Sequence, residues 1–226
     1  MRSARWRARY EAHHVRGGRY GYVYGGEWRP DLFREWVGSG AGVLDLGCRD
    51  GTLTTAYRGG NRLVGVDIDL TALGEAGRGL GIPTVCADLN DPLPFASKAF
   101  DVVVAGEVLE HLIHPATFLT EVARVLVPDG WFVGSTPNAF RLRNRWRFLW
   151  GREYETDETH LHRFSPGRLR RLLEAGFARV EVHALGGHFM GGGRRGIRVG
   201  RGAPRWAREL FALDLAWRCR GPRSPA

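Results

Sequence analysis

The chain is nearly without lysine. Lys98 is the one lysine among 33 basic residues, so its positive charge is arginine charge, a bias that a GC-rich coding sequence explains as well as a ligand does. Cysteine is scarce too. Cys48, Cys86 and Cys219 are too scattered for a disulfide framework or a zinc spacing. No run of 18 apolar residues occurs, so no membrane-spanning helix is expected. The amino terminus carries no apolar signal core, which makes the cytoplasm the expected compartment. With 226 residues there is enough chain for one well-cored domain and too little for two. No internal repeat is present.

The net charge of +9 is unevenly placed. Positions 41–140 hold six basic and twelve acidic residues, whereas the flanks hold 27 basic and 12 acidic. An acidic middle between basic ends reads either as solvated surface or as the mark of an acidic partner, and composition does not choose between them.

What the chain does have is a sharp punctuation, Val43-Leu44-Asp45-Leu46-Gly47-Cys48-Arg49-Asp50-Gly51. Residues 42–46 read as a buried strand that turns at glycines into a helix over 52–58. A strand, a glycine turn and a helix N-terminus put backbone N–H groups at the carboxyl end of a parallel sheet, where open α/β folds bind ligands. A dinucleotide site would need G-x-G-x-x-G, and the run here is G-C-R-D-G. Asp45, Asp50, Asp67, Asp69 and Asp88 crowd the same end. They would repel a pyrophosphate, but not a phosphate-free cofactor made of a sulfonium and an adenosine.

Strands at 42–46, 62–67, 82–87, 100–105 and 130–136 alternate with helices near 70–79, 115–127 and 166–175, the last capped by Ser165-Pro166. That alternation predicts a parallel sheet with helices on both faces. An amphipathic helix precedes it near 30–37, after an aromatic cluster of Tyr20, Tyr22, Tyr24 and Trp28. Residues 177–184 read as a sixth strand and 204–211 as a helix. Leu213, Leu215, Trp217 and Cys219 alternate with Asp214, Ala216, Arg218 and Arg220, which predicts a seventh strand. The rival reading is one amphipathic helix over 204–218 lying on a membrane surface. Residues 186–203, rich in Gly and Arg, read as a mobile loop. Residues 1–20, with six arginines interleaved with Trp6 and Tyr10, read as a basic helix or arm.

VLDLGCRDG (43–51), VGVDID (64–69), CADLNDPLPF (86–95), FDVVVAGEVLEHL (100–112) and RVLVPDGWFVGSTPN (124–138) follow one another in a familiar order. Over about residues 41–185 the chain resembles the class I S-adenosylmethionine (SAM)-dependent methyltransferases, in the branch with ubiquinone-biosynthesis O-methyltransferases and MetW-like proteins. The resemblance implies a Rossmann-like, doubly wound α/β fold with a seven-stranded, mostly parallel sheet and an antiparallel last strand. It implies a helical basic and aromatic cap over 1–40, a methyltransferase domain over 41–226, and SAM as cofactor. It implies a cofactor site of Asp45, Gly47, Cys48, Gly51, Asp67, Ile68, Asp88, Leu89 and Glu107. Within that set Asp67 ends a strand 20 residues after Gly47, where a carboxylate can take both ribose hydroxyls. Asp88 would meet the adenine amino group, Leu89 the adenine edge, and Glu107 the methionine part. Asp45 would orient the loop or the cofactor's amino group. Arg49 stands where the family usually has glycine, and either pairs with the cofactor carboxylate or points to solvent.

Methyl transfer from a sulfonium needs alignment, exclusion of water and, for a hydroxyl, removal of a proton. His111, with Glu110, is the expected catalytic pair; a histidine near neutral pKa suits the task, and a purely structural helix residue is the alternative. In a helix Glu107, Glu110 and His111 would share one face. The run resembles the metal ligands of ubiquinone-pathway and small-RNA 2′-O-methyltransferases, which makes these three a candidate divalent-metal set, with His160 or His162 as a fourth member. The insertion 138–159 mixes Arg141, Arg143, Arg145, Arg147 and Arg152 with Phe140, Trp146, Phe148 and Trp150, an alternation that suits no helix face cleanly. Its position after the fifth strand is that of an acceptor lid. Arg143, Arg147 and His160 are the expected acceptor-binding residues, for a small molecule that is acidic or phosphorylated. The leading function is methyl transfer to a hydroxyl oxygen of a small molecule. The alternatives are an RNA methyltransferase, for which no RNA-binding module is recognised, and a non-catalytic MetW-like partner subunit.

Overall fold

The computed structural model describes residues 28–153, 157–186 and 204–223, together with Trp6, Tyr10, Gly18, residues 20–23 and Gly202. Most of the basic arm 1–20, Tyr24 of the aromatic cluster and nearly all of the Gly/Arg segment 186–203 lie outside the described residues.

Seven strands form one sheet: β1 (Gly42–Leu46), β2 (Arg62–Asp67), β3 (Thr84–Cys86), β4 (Phe100–Gly106), β5 (Leu126–Pro137), β6 (Phe177–Leu185) and β7 (Asp214–Pro222). Their order across the sheet is β3-β2-β1-β4-β5-β7-β6. The first five run parallel, and β7 is antiparallel to both neighbours. This is the expected doubly wound sheet with its antiparallel last strand, and the strand reading of 213–220 prevails over the single amphipathic helix. The alternation of side chains splits the core in two. Leu44, Leu46, Val103, Ala105 and Phe132 face one cluster, closed by α3 (Pro115–Val125) and α5 (Pro166–Gly176). Val43, Val102, Val104 and Val133 face the other, closed by α1 (Arg29–Val37) and Tyr57.

The helices start where local chemistry allows. The Asp69 carboxylate accepts from Ala72 N at 3.0 Å and caps α2 (Leu70–Leu80). The Ser165 hydroxyl accepts from Arg168 N and caps α5, with Pro166 at the first helical position. Helix α4 spans Leu142–Leu149 and helix α6 spans Arg205–Phe211.

The structure corrects three expectations. The helix over 52–58 shrinks to one 3₁₀ turn, Thr54–Ala56. The threonine hydroxyls there bond to Asp50, Asp45 and the Gly51 carbonyl, and such bonds compete with a helix. The lid, which suited no helix face, contains α4. Third, Glu107, Glu110 and His111 do not share a helical face. Glu107 sits in the left-handed region (φ 58°), and only Leu109–His111 forms a 3₁₀ turn.

Candidate active site

Two loops are stitched together at the carboxyl ends of β1 and β2. Gly47 N and Cys48 N both donate to Val66 O, at 2.8 and 3.1 Å. The Asp67 carboxylate accepts from Arg49 N at 2.8 Å through one oxygen and from Asp69 N at 2.9 Å through the other. A carboxylate oxygen can accept more than one hydrogen bond, and ribose hydroxyls are the further donors expected at Asp67. Gly47 and Gly51 both have φ 78°. A Cβ on Gly47 would stand 2.5 Å from Val108 Cγ2, and one on Gly51 2.5 Å from Leu80 Cδ1, so a side chain fits at neither. Arg49 also adopts positive φ, 51°, which accounts for the family's glycine at this place. Its guanidinium donates to Tyr22 O and pairs with Asp50 at 3.4 Å. Gly21 N donates to Asp50, and Tyr20 Oη to Asp69 at 2.9 Å. Residues 20–22 are thus strapped across both loops.

The other expected cofactor residues divide into backbone and side-chain roles. Asp45 is buried and accepts from Thr54 Oγ1 at 2.6 Å and Tyr57 Oη at 2.7 Å. Burial pushes its carboxyl up to about 6. Both bonds tie Asp45 to the turn that follows the glycine loop. The Cys48 thiol is buried, and burial raises it far above the usual thiol range, so it is inert. Asp88 is half-buried and accepts from Asn90 N and Nδ2, both at 2.9 Å. Ile68 and Leu89 are half-buried as well.

Beyond β4 the chemistry changes. Glu107 Oε1 accepts from Ser135 Oγ at 3.0 Å and pairs with Arg29 at 2.9 Å. Arg29 reaches on to Asp214 at 3.3 Å. Arg29 and Asp214 are both buried. Glu110 is buried next to them, with Oε2 accepting from Thr136 Oγ1 at 3.0 Å. Its Oε1 is buried and has no hydrogen-bond partner among the described residues. Burial, then the nearby Glu107 charge, push this carboxyl up to about 8. Segment 157–164 returns over the 3₁₀ turn: Leu161 N and His162 N donate to Glu110 O at 2.7 and 3.0 Å. That return brings His160 onto His111, ring centroids 4.7 Å apart and edge to face. His111 Nδ1 lies 3.1 Å from Thr159 O. A carbonyl only accepts, so Nδ1 carries the proton and Nε2 is the basic nitrogen.

Glu110, His111 and His160 therefore form one group whose ligand atoms all lie within 4.8 Å of one another. His160 joins it, whereas His162 turns to Ile113 O and Arg168. Glu107 stays near enough to raise Glu110, but its carboxylate is engaged by Arg29 and Ser135. In the lid, Arg143 is exposed, and Arg147 donates to Glu153 O at 2.8 Å. The lid arginine whose charge acts on Asp214 is Arg141.

Residues 44–134 match the family described as Methyltransferase domain. A probable S-adenosylmethionine-dependent methyltransferase of Mycolicibacterium smegmatis is 32% identical over 69% of this chain and 58% of its own length. The ubiquinone biosynthesis O-methyltransferase of Burkholderia pseudomallei is 30% identical over 66% of this chain and 69% of its own length. The chain belongs to the class I SAM-dependent methyltransferase family. In fold it is similar to a SAM-dependent methyltransferase of Thermotoga maritima, described as a possible histamine N-methyltransferase, with a TM-score of 0.65 over 85% of this chain and 88% of that one, at 16% identity. The chain spans 58% of the length of the Mycolicibacterium relative and 51% of that of its Mycobacterium tuberculosis counterparts.

Of the four residues Arg29, Ser135, Thr136 and Asp214, the last methyltransferase motif (124–138) holds Ser135 and Thr136, whereas no motif holds Arg29 or Asp214. These four gather from α1, β5 and β7 at one end of the sheet. One sign of Asp214 was available: an aspartate opening a strand whose next three residues, Leu215, Ala216 and Trp217, are apolar. Its alternation with Leu215 suggests an outward face, yet β7 lies between β5 and β6 and residues 214–217 are all buried.

The dual hold on Asp67 makes a prediction. Asp67→Asn keeps one acceptor oxygen and faces Arg49 N or Asp69 N with an amide donor. We expect SAM affinity to fall by about 1.5–3 kcal/mol, the worth of a hydrogen bond to a charged group, together with a loss of folding stability. Calorimetry that finds SAM affinity unchanged would remove Asp67 from the cofactor site.

Proposed function

We propose that the chain binds SAM across the carboxyl ends of β1, β2 and β4 and transfers its methyl group to a hydroxyl oxygen of a small molecule. The Glu110–His111–His160 group carries this reading. It sets a basic imidazole nitrogen beside a buried carboxyl at the end of β4, next to the expected position of the methionine part. In the reaction the acceptor oxygen attacks the methyl carbon in line with the sulfur. The new O–C bond forms as the S–C bond breaks, S-adenosylhomocysteine leaves neutral at sulfur, and the hydroxyl proton passes to His111 Nε2. Residues 20–22, strapped across the two cofactor loops, flank this cleft, and Arg143 and Arg147 with His160 bind the acceptor.

The same group fits a divalent ion. Two imidazoles and a carboxylate with an orphaned oxygen are a donor set for Zn²⁺ or Mg²⁺, and the Nδ1 bond of His111 to Thr159 O is the outer support typical of a ligating histidine. Glu110, His111 and His160 would hold the ion, which when bound would lower the pKa of an acceptor hydroxyl.

The test is calorimetry with SAM, followed by S-adenosylhomocysteine release against a panel of phenols, aliphatic alcohols, amines and an RNA oligonucleotide. Micromolar SAM binding with turnover on a hydroxylated small molecule supports the reading. Turnover on RNA or amines alone contradicts the acceptor. SAM binding without turnover on any acceptor favours a non-catalytic partner subunit.

A further inference from the structure

Helix α4 is turned the wrong way round for a helix that covers a core. At 100° per residue, Leu142, Trp146 and Leu149 form one stripe, continued by Trp150 just past the helix end. That stripe faces solvent: the four residues are 39, 59, 75 and 67% exposed. The residue buried on the opposite side is the polar Asn144, whose amide donates to Ala139 O at 3.0 Å and accepts from Arg141 Nε at 3.2 Å. Phe140 and Phe148 add further exposed rings, 42 and 73%. Exposed Arg143 and Arg145 border the stripe on its two sides. From Phe140 to Arg152 the chain carries five arginines and no acid. Helix α6, which packs beside α4, exposes Trp206 at 65%. The rings of Trp146 and Trp150 meet edge to face at 5.9 Å, and with Arg147 and Arg152 they line a notch of about 260 Å³.

A contiguous apolar face of this kind marks an interaction surface, and its chemistry selects the occupant. A second copy of the chain would bring five arginines against five, so self-association through this face is opposed by charge. Single-stranded RNA would use the arginines and rings, but it offers nothing to Leu142 and Leu149 of the stripe. A lipid surface satisfies both sets. Leucine and tryptophan enter the boundary between headgroups and acyl chains, and guanidinium groups meet anionic headgroups. The eight residues of α4 make a helix about 12 Å long, which lies in the interface and does not cross it.

We propose that the α4 face docks this protein onto an anionic bilayer surface, with Leu142, Trp146, Leu149 and Trp150 immersed and Arg145 and Arg152 on lipid headgroups. The proposal is independent of which acceptor is methylated.

The experiment is co-sedimentation of the full chain with phosphatidylcholine vesicles and with vesicles that also contain phosphatidylglycerol. We expect binding to the anionic vesicles alone, weakened by salt. Arg145→Gln/Arg152→Gln should lower it about 30-fold, from about 1 kcal/mol per surface arginine. Trp146→Ser/Leu149→Ser should lower it at least about 10-fold, since each immersed side chain contributes about 1.5–3 kcal/mol when fully buried. Circular dichroism and SAM calorimetry of both double variants verify that fold and cofactor site persist. Absence of binding to anionic vesicles overturns the proposal. So does binding that survives Trp146→Ser/Leu149→Ser, because it would then belong to the overall positive charge. An RNA oligonucleotide or a dimer, seen by sedimentation velocity, that is lost with Leu149→Ser while vesicles remain unbound would assign the face to those occupants instead.

Discussion

Replacing Arg29 by methionine should cost about 3–5 kcal/mol of folding stability, the range for removing one partner of a buried ion pair. Arg29 is buried and serves two carboxylates, Glu107 at 2.9 Å and Asp214 at 3.3 Å. Its loss leaves both acids without their shared cation. Even with Arg29 present, Asp214 is pushed up to about 7, first by burial and then by the Glu107 charge, against the pull of Arg29 and Arg141. The sign of the pH effect follows. An acid whose pKa is higher folded than unfolded favours folding when protonated, so its contribution is full below the unfolded value of 3.8 and is lost as pH rises towards 7. Asp214→Asn removes the surplus charge and leaves a one-to-one Arg29–Glu107 pair. It should match wild type near pH 4 and become more stable than wild type as pH rises to 8. Urea titrations at pH 4, 6 and 8 measure this. A difference between Asp214→Asn and wild type that does not grow with pH would show that Asp214 is not held protonated. A loss below about 1 kcal/mol for Arg29→Met would show that the cluster reorganises or is solvated.

That cluster was invisible in the sequence, and the reason is physical. The strands of the parallel half were legible because their apolar runs end at glycines and acids. The seventh strand was legible from its period of two, but burial was not, because it depends on which strands flank it. In the sequence Asp214 is therefore only one partner of that alternation. Arg29 opens a helix beside Pro30, and nothing local says that its guanidinium reaches β4 and β7.

The candidate site shows the same limit. Spacing i, i+3, i+4 puts Glu107, Glu110 and His111 together only in a regular helix. The left-handed Glu107 breaks that premise and sends its carboxylate to Arg29. His160 arrives from 49 positions beyond His111 through backbone bonds to Glu110 O, a contact with no periodicity to read. The lid misled in another way. Its arginine–aromatic alternation looked unhelical because an apolar stripe is usually sought on the buried side, and α4 carries it outward.

His111→Ala should slow methyl transfer by about 10²–10⁴-fold while leaving SAM affinity within a factor of about two. The range is that of a positioned general base, and the proton on Nδ1 leaves Nε2 to do the work. Glu110→Gln separates the two chemistries open to this group. Glutamine keeps an oxygen for Thr136 Oγ1 and removes the charge. If the group holds a divalent ion, chelation should abolish turnover and addition of Zn²⁺ or Mg²⁺ restore it. Glu110→Gln and His160→Ala should then both be nearly inactive, because each takes away a ligand. If His111 acts alone, chelated enzyme should keep its full rate. Glu110→Gln should then retain at least about a tenth of the activity, since a carboxyl pushed up to about 8 is already largely neutral at pH 7. Equilibrium dialysis against Zn²⁺ adds a readout that does not depend on the acceptor: one ion per chain in wild type and none in His111→Ala/His160→Ala. Full activity of His111→Ala, with or without chelator, would remove this histidine from the chemistry and leave alignment of acceptor and methyl as the whole of catalysis.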